Sequence, residues 1–141
     1  MNWTQMLTDL RQHQLLSREI LSLAERESQA LRQPSTGQSA VLQEISDLRR
    51  LLLPRLSESL EKVRRHREHW QTLTAAERAA QPEIAFLVRQ TQDLIMRVLL
   101  LDRENEQGLL RLGLVPVREM NAVSGQRPQY VAGLYRRQAE A

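Results

Sequence analysis

Apolar residues recur every three or four positions along three long stretches of this chain, a spacing typical of amphipathic helices. The stretches run from about Trp3 to Arg32, from about Ser39 to Trp70 and from about Pro82 to Leu112. At about 1.5 Å of rise per residue, each predicts a rod of about 45 Å. The pattern therefore predicts an all-α fold, in which three long helices over residues 1–113 form an antiparallel bundle or coiled coil.

Local signals predict where the first two helices begin and end. Asn2 can cap the first helix with its side chain. The segment Pro34–Gly37 combines proline and glycine and predicts a tight turn. A turn that short makes the two helices antiparallel neighbours, and Ser39 is the predicted cap of the second.

Further signals concern the second and third helices. Pro54 lies inside the second helix, but the apolar stripe keeps its phase across it, so we expect a kink and not an end. Thr74 and Glu77 have the spacing of a capping box, which predicts a short helical turn. The third helix then starts at Pro82, and Gly113 suits its C-terminus.

The third helix carries more apolar surface than the others. The segment from Leu94 to Leu114 is the most apolar in the chain, although a polar knot, Asp102–Glu106, interrupts it. A helix that packs against two neighbours needs one apolar arc. Here a second stripe of Ile95, Leu99 and Leu110 predicts that the helix is half core and half docking surface. The predicted partner-binding residues on this helix are Leu94, Ile95, Val98, Leu99, Leu101, Asn105, Leu109, Leu110 and Leu112. The residues assigned to the core are Leu16, Ile20, Ile45, Leu52, Leu56 and Leu60.

The segment 114–141 differs from the rest of the chain. Proline and glycine arrive in quick succession and the helical periodicity is lost, yet several apolar residues remain. A disordered tail that only solvates the protein would have fewer of them. We therefore expect a flexible C-terminal tail that packs when it is bound, and Tyr130 and Tyr135 complete the predicted partner-binding set. The extra apolar surface of the third helix could be covered by self-association, by this tail or by a partner's amphipathic helix.

Charge and composition argue against several classes of function. The calculated pI is about 10.1, but the formal charge is only +3, from 20 basic and 17 acidic residues. The high pI arises because Lys62 is the only lysine and every other cation is arginine. A nearly balanced charge describes solvated helix faces better than a surface for nucleic acid. The absence of cysteine and of a long apolar run fits a cytoplasmic protein that is not inserted in a membrane.

No arrangement of residues predicts catalysis, a metal site or a cofactor. His66 and His69 lie three apart and lack the spacing of a zinc-binding helix. The chain has no nucleophile elbow and no glycine-rich phosphate loop. The sequence therefore predicts a protein that binds other proteins and is not an enzyme.

Three segments together resemble the flagellar export chaperones of the FlgN type. They are LAERE at 23–27, LRRLL at 48–52 and LLDRENEQGLL at 100–110. The last resembles the family's third helix, in which an asparagine-containing polar knot precedes leucines. A loose tail with aromatic residues, here Tyr130 and Tyr135, also resembles the family.

The resemblance implies a function in the cytoplasm. Chaperones of this family bind the C-terminal amphipathic helix of hook-associated proteins, which form the hook–filament junction. They prevent premature assembly of these clients and bring them to the type III export apparatus. The alternative from the residues alone is a self-associating coiled-coil scaffold or adaptor, which would form a homo-oligomer.

Overall fold

The computed structural model describes residues 2–33 and 36–113, and in these two ranges the chain forms four helices and no strand. They are α1 (Trp3–Arg32), α2 (Gln38–Gln71), α3 (Ala75–Ala79) and α4 (Pro82–Arg111). The prediction of an all-α protein is confirmed. The predicted tail, with Tyr130 and Tyr135, lies outside the described residues.

Most helix ends follow from local chemistry. Asn2 Oδ1 accepts a hydrogen bond from the backbone N–H of Gln5 at 3.0 Å, as predicted for the cap of α1. Thr74 and Glu77 form the predicted capping box at the start of α3, with reciprocal bonds of 3.1 and 3.0 Å. Gly113 follows α4 with a φ of 72°, a left-handed conformation that glycine adopts without strain.

Two predictions concern α2. The predicted cap at Ser39 is wrong, because the helix begins at Gln38 after Gly37, and no side chain caps it. Because Gly37 has no side-chain oxygen, the first backbone N–H groups of α2 donate no hydrogen bond to a capping side chain. The helix continues through Pro54, as expected from the unbroken phase of its apolar stripe.

Helix α1 is the central element. It packs along both α2 and α4, whereas the backbones of α2 and α4 hardly approach each other. Trp3 meets Trp70, and Glu27 meets Arg49, so α2 runs opposite to α1. Arg11 bonds to Glu83 near the start of α4, and Asn105 bonds to the carbonyl of Ala24 near its end, so α4 runs in the same direction as α1.

The core follows α1 as three groups of buried side chains. The group at its N-terminal end contains Met6, Leu10, Ile84 and Leu87. The central group contains Leu16, Ile20, Leu21, Leu56, Leu60 and Val98. The group at its C-terminal end contains Leu42 and Leu109. Of the residues assigned to the core from the sequence, Leu16, Ile20, Ile45, Leu56 and Leu60 are buried and Leu52 is half-buried.

Within the described ranges, no helix has both the length and the apolar character that crossing a bilayer requires.

Candidate functional site

A groove opens between α2 and α4, and α1 forms its floor. It exists because α1 separates the other two long helices, so their facing sides are not covered by each other. Its volume is about 560 Å³, which lies within the range of about 300–1,000 Å³ found for ligand pockets. The wall on α2 runs from Leu60 to Trp70, a length of about 15 Å. The groove therefore matches about ten residues of a helix in length.

The floor and walls of the groove are mainly apolar. Met6 and Leu10 of α1 lie at the bottom. The remaining apolar lining comes from α2 and α4, namely Leu60, Val63, Trp70, Val88, Ile95 and Met96. Trp70 also meets Trp3 edge-to-face, with ring centroids 6.4 Å apart and an interplanar angle of 89°. Such a pair contributes about 0.5–1.5 kcal/mol beyond its buried area, so the tryptophan wall is held in place.

His13 is a buried polar group in the floor. Its Nδ1 lies 3.1 Å from Ser59 Oγ. Burial lowers its pKa from 6.5 to about 4, because the charged imidazolium loses its hydration. The imidazole is therefore neutral at physiological pH, and His13 adds no charge to the floor of the groove.

Thr91 is a second polar group that lines the groove. It is buried, and its hydroxyl has no hydrogen-bond partner within the described ranges. A buried hydroxyl without a partner costs about 1–3 kcal/mol. A group that entered the groove and bonded to Thr91 would recover part of this energy.

Charges lie on the rims of the groove. On the α2 side, His66 Nε2 is 2.7 Å from Asp9 Oδ2, and Arg67 is exposed. On the α4 side, Asp93 is exposed. Neither Arg67 nor Asp93 forms a salt bridge with another described residue. An apolar channel with free charges of both signs at its edges suits an amphipathic segment with charged flanks.

A buried polar layer lies against the C-terminal half of α1, away from the groove. Arg49 of α2 donates to Glu27 of α1, and Asn105 of α4 donates to the same Glu27 at 3.0 Å and to the carbonyl of Ala24 at 2.9 Å. Asp102 and Glu106 of α4 are also buried in this half. This layer joins all three long helices, so its role in this structure is to align them.

The structure distributes the sequence-predicted site residues on α4 and at its end over four environments. Val98, Asn105 and Leu109 are buried. Leu94, Leu99 and Leu101 are half-buried against the central core group, and Leu110 is half-buried against the C-terminal group. Leu112 is exposed. Ile95 alone among these described residues lines the groove. The predicted second stripe, Ile95, Leu99 and Leu110, is therefore not one continuous open surface.

Sequence reasoning missed most of the groove. Val63 and Trp70 are seven residues apart on α2, and Val88 and Ile95 are seven apart on α4. Each pair forms a short apolar line on one helical face. The signal was present, but no periodicity reveals that the two lines face each other across a gap.

No protein-family model matches this chain, and neither the curated proteins nor the solved structures compared with it provide a match. The resemblance to the FlgN-type chaperones thus depends on sequence patterns alone.

Proposed function

We propose that this protein is a cytoplasmic chaperone for type III export that holds an amphipathic helix of its client in the groove between α2 and α4. On this proposal the clients are flagellar hook-associated proteins and the bound element is their C-terminal helix. Covering the apolar face of that helix prevents premature assembly until delivery to the export apparatus. The protein itself is a binding protein and not an enzyme. Its three long helices act as an antiparallel bundle that presents the groove to the client.

The observation that carries the proposal is the open side of the three-helix arrangement. α1 is covered by two helices, while no other described helix covers the facing sides of α2 and α4. A fourth helix laid between them would complete a four-helix bundle and bury Val63, Val88 and Met96. A helix that docks in an apolar groove through residues at three- and four-residue spacing is a recurrent mode of recognition.

The shape of the groove favours a single helix over a folded second copy. From Leu60 to Trp70 its wall spans about three helical turns, the length of one short helix. Among the described residues, the most exposed large apolar side chains outside the groove lie on three different helices, at Leu15, Leu51, Phe86 and Leu100. They do not form the single stripe that would fill the groove of a neighbouring copy.

Two matched variants test the groove. Met96 and Leu100 lie on the same helix with nearly equal exposure, 58% and 59%, but only Met96 lines the groove. We expect Met96→Glu to weaken client binding at least tenfold, because it places a carboxylate where the client's apolar face would lie. Leu100→Glu should leave binding unchanged. Both variants should keep the helix content of the parent protein by circular dichroism.

Binding of hook-associated proteins with and without their C-terminal helices tests the client. We expect the isolated protein to retain the full-length clients and to lose those that lack the helix. Equal retention of both forms would contradict the proposed mode. Leu99→Glu is a poor test of the surface, because Leu99 packs against the central core group. We expect that substitution to reduce stability as well as binding.

Sedimentation equilibrium separates this proposal from the self-associating scaffold. The chaperone should be monomeric without its client and should form a complex with one client helix. A stable homo-oligomer that dissociates in Met96→Glu would instead identify a second copy as the occupant of the groove.

A further inference from the structure

The chain beyond α4 is long enough to return to the groove. The described residues end at Gly113, and residues 114–141 follow. From Met96 to Gly113 the helix rises about 25 Å. An extended chain from Gly113 to Tyr130 spans up to about 56 Å. The segment that begins at Tyr130 can therefore reach the whole groove with slack to spare.

That segment has the chemistry that the groove requires. Tyr130, Val131, Leu134 and Tyr135 would share one face of a helix, because they recur at steps of one, three and four. Arg136 and Arg137 follow directly. Asp93 on the α4 rim has no ionic partner among the described residues and offers a site for one of these arginines. Tyr130 and Tyr135 are the only aromatic residues in the sequence outside α1, α2 and α4.

We propose that residues 130–137 occupy the groove in the free protein and are displaced when the client helix binds. This inference concerns the regulation of the proposed client site and rests on that site. A tethered segment acts at an effective concentration in the millimolar range. A weak contact therefore suffices to close the groove. The segment hides the apolar surface from non-specific contacts and raises the affinity that a client must have in order to enter.

Cysteine pairs test where the segment lies, without any client. The chain contains no cysteine, so introduced pairs report on one contact only. The test protein carries Met96→Cys with Leu134→Cys, and the control carries Leu51→Cys with Leu134→Cys. Leu51 is exposed on α2 and does not line the groove. A disulfide requires Cα atoms about 4.4–6.8 Å apart.

We expect the test pair to form an intramolecular disulfide at least tenfold faster than the control pair under mild oxidation. Equal rates would overturn the proposal. A disulfide-linked dimer in the test pair alone would also overturn it, because the groove would then hold the tail of a second copy.

Client affinity tests the regulatory consequence in the full-length protein. If the segment is docked in about nine molecules of ten, its removal raises client affinity about tenfold. We expect this gain in a chain that ends at Gly113 and in Leu134→Glu. Gln129→Glu adds the same charge outside the apolar face and should change nothing. The probe is a synthetic peptide of the C-terminal helix of a hook-associated protein.

The two experiments separate the two proposals. A preferred disulfide in the test pair with no peptide binding in any variant would refute the client and keep the tail in the groove. Peptide binding that is unaffected by truncation, together with equal disulfide rates, would refute the tail and keep the client site.

Discussion

Arg49 donates hydrogen bonds to both carboxylate oxygens of Glu27, at 3.0 and 3.3 Å, although the two side chains are only 1% and 3% exposed. The pair joins α2 to α1, and Asn105 adds α4 through its own bond to Glu27. Burying two charges costs free energy that only close pairing and further hydrogen bonds offset. This contact therefore stabilises one axial alignment of the three helices more than it adds to total stability.

Replacing one member of this pair should be severe. We expect Arg49→Met to lower the free energy of unfolding by about 3–5 kcal/mol, because it leaves the carboxylate of Glu27 buried without its main partner. Urea denaturation followed by circular dichroism measures the change. Arg50→Met is the control, because Arg50 is exposed and forms a long surface salt bridge of 3.9 Å with Asp47. This substitution should lower the free energy of unfolding by less than about 1 kcal/mol. The double variant Glu27→Met with Arg49→Met should be more stable than Arg49→Met alone. Equal stability of the single and double variants would show that the buried carboxylate of Glu27 does not cause the loss of stability in Arg49→Met.

His13 should make stability depend on pH. Its pKa is about 4 in the folded protein and about 6.5 in the unfolded chain. The unfolded chain therefore binds the extra proton first as pH falls below 6.5, and the folded state loses stability down to about pH 4. Above pH 6.5 the imidazole is neutral in both states and contributes no pH dependence. The expected loss is of order 3 kcal/mol for this buried group.

The difference between wild type and His13→Gln isolates this effect, because titration of the carboxylates is common to both proteins. We expect the variant to lose less stability than wild type between pH 7 and pH 4, as measured by urea midpoints. His69→Gln, at an exposed position of α2, should retain the pH profile of wild type. Parallel profiles for wild type and His13→Gln would contradict the assignment.

The central core group should respond to cavity formation. Leu56 is fully buried against α1 and α4, whereas Leu51 on the same helix is 71% exposed. We expect Leu56→Ala to cost about 2–5 kcal/mol, from lost burial and the cavity that remains. Leu51→Ala removes the same atoms from solvent-exposed surface and should change stability by less than about 0.5 kcal/mol. Thermal or urea unfolding of the two variants measures the contrast, and similar costs would mean that α2 packs with its other face.

Gly108 marks the closest approach of α4 to Leu31. A Cβ added at this glycine would lie 3.2 Å from Leu31 Cδ1. Alanine favours a helix over glycine by about 1 kcal/mol, and the half-buried leucine can move its methyl group by a few tenths of an ångström. We therefore expect Gly108→Ala to be slightly stabilising and Gly108→Val to be destabilising, because valine adds atoms beyond that limit. In a Leu31→Ala background the penalty for valine should decrease. The unfolding free energies of wild type, the two Gly108 variants, Leu31→Ala and the double variant Leu31→Ala with Gly108→Val test the contact.

Local signals predicted the helices because each signal acts within a few residues. Asn2, Thr74, Pro82 and Gly113 sit at helix ends as their capping chemistry predicts. The prediction at Ser39 was wrong because it used a local signal alone: Ser39 is a good capping residue, but α2 begins two residues earlier than a cap there requires, at Gln38 after Gly37.

Long-range packing was not predictable from the same patterns. His13 and Glu27 interrupt the apolar stripe of α1 in the sequence, yet both are buried, beside Ser59 and Arg49. The stripe could not show this, because the partners lie on another helix. Likewise, the width of an apolar arc does not say which neighbour covers it. Leu99 looked like open surface on α4, but it contributes to the central core group.

The central position of α1 has a consequence for synthesis on the ribosome. α1 and α2 are adjacent in the sequence and can pair as soon as residue 71 has emerged. One wall of the groove belongs to α4, at Val88, Ile95 and Met96. The groove therefore does not exist on a nascent chain until α4 has been made and has packed against α1. A partly synthesised protein has no complete site to offer, and the segment proposed to cover the groove emerges after α4.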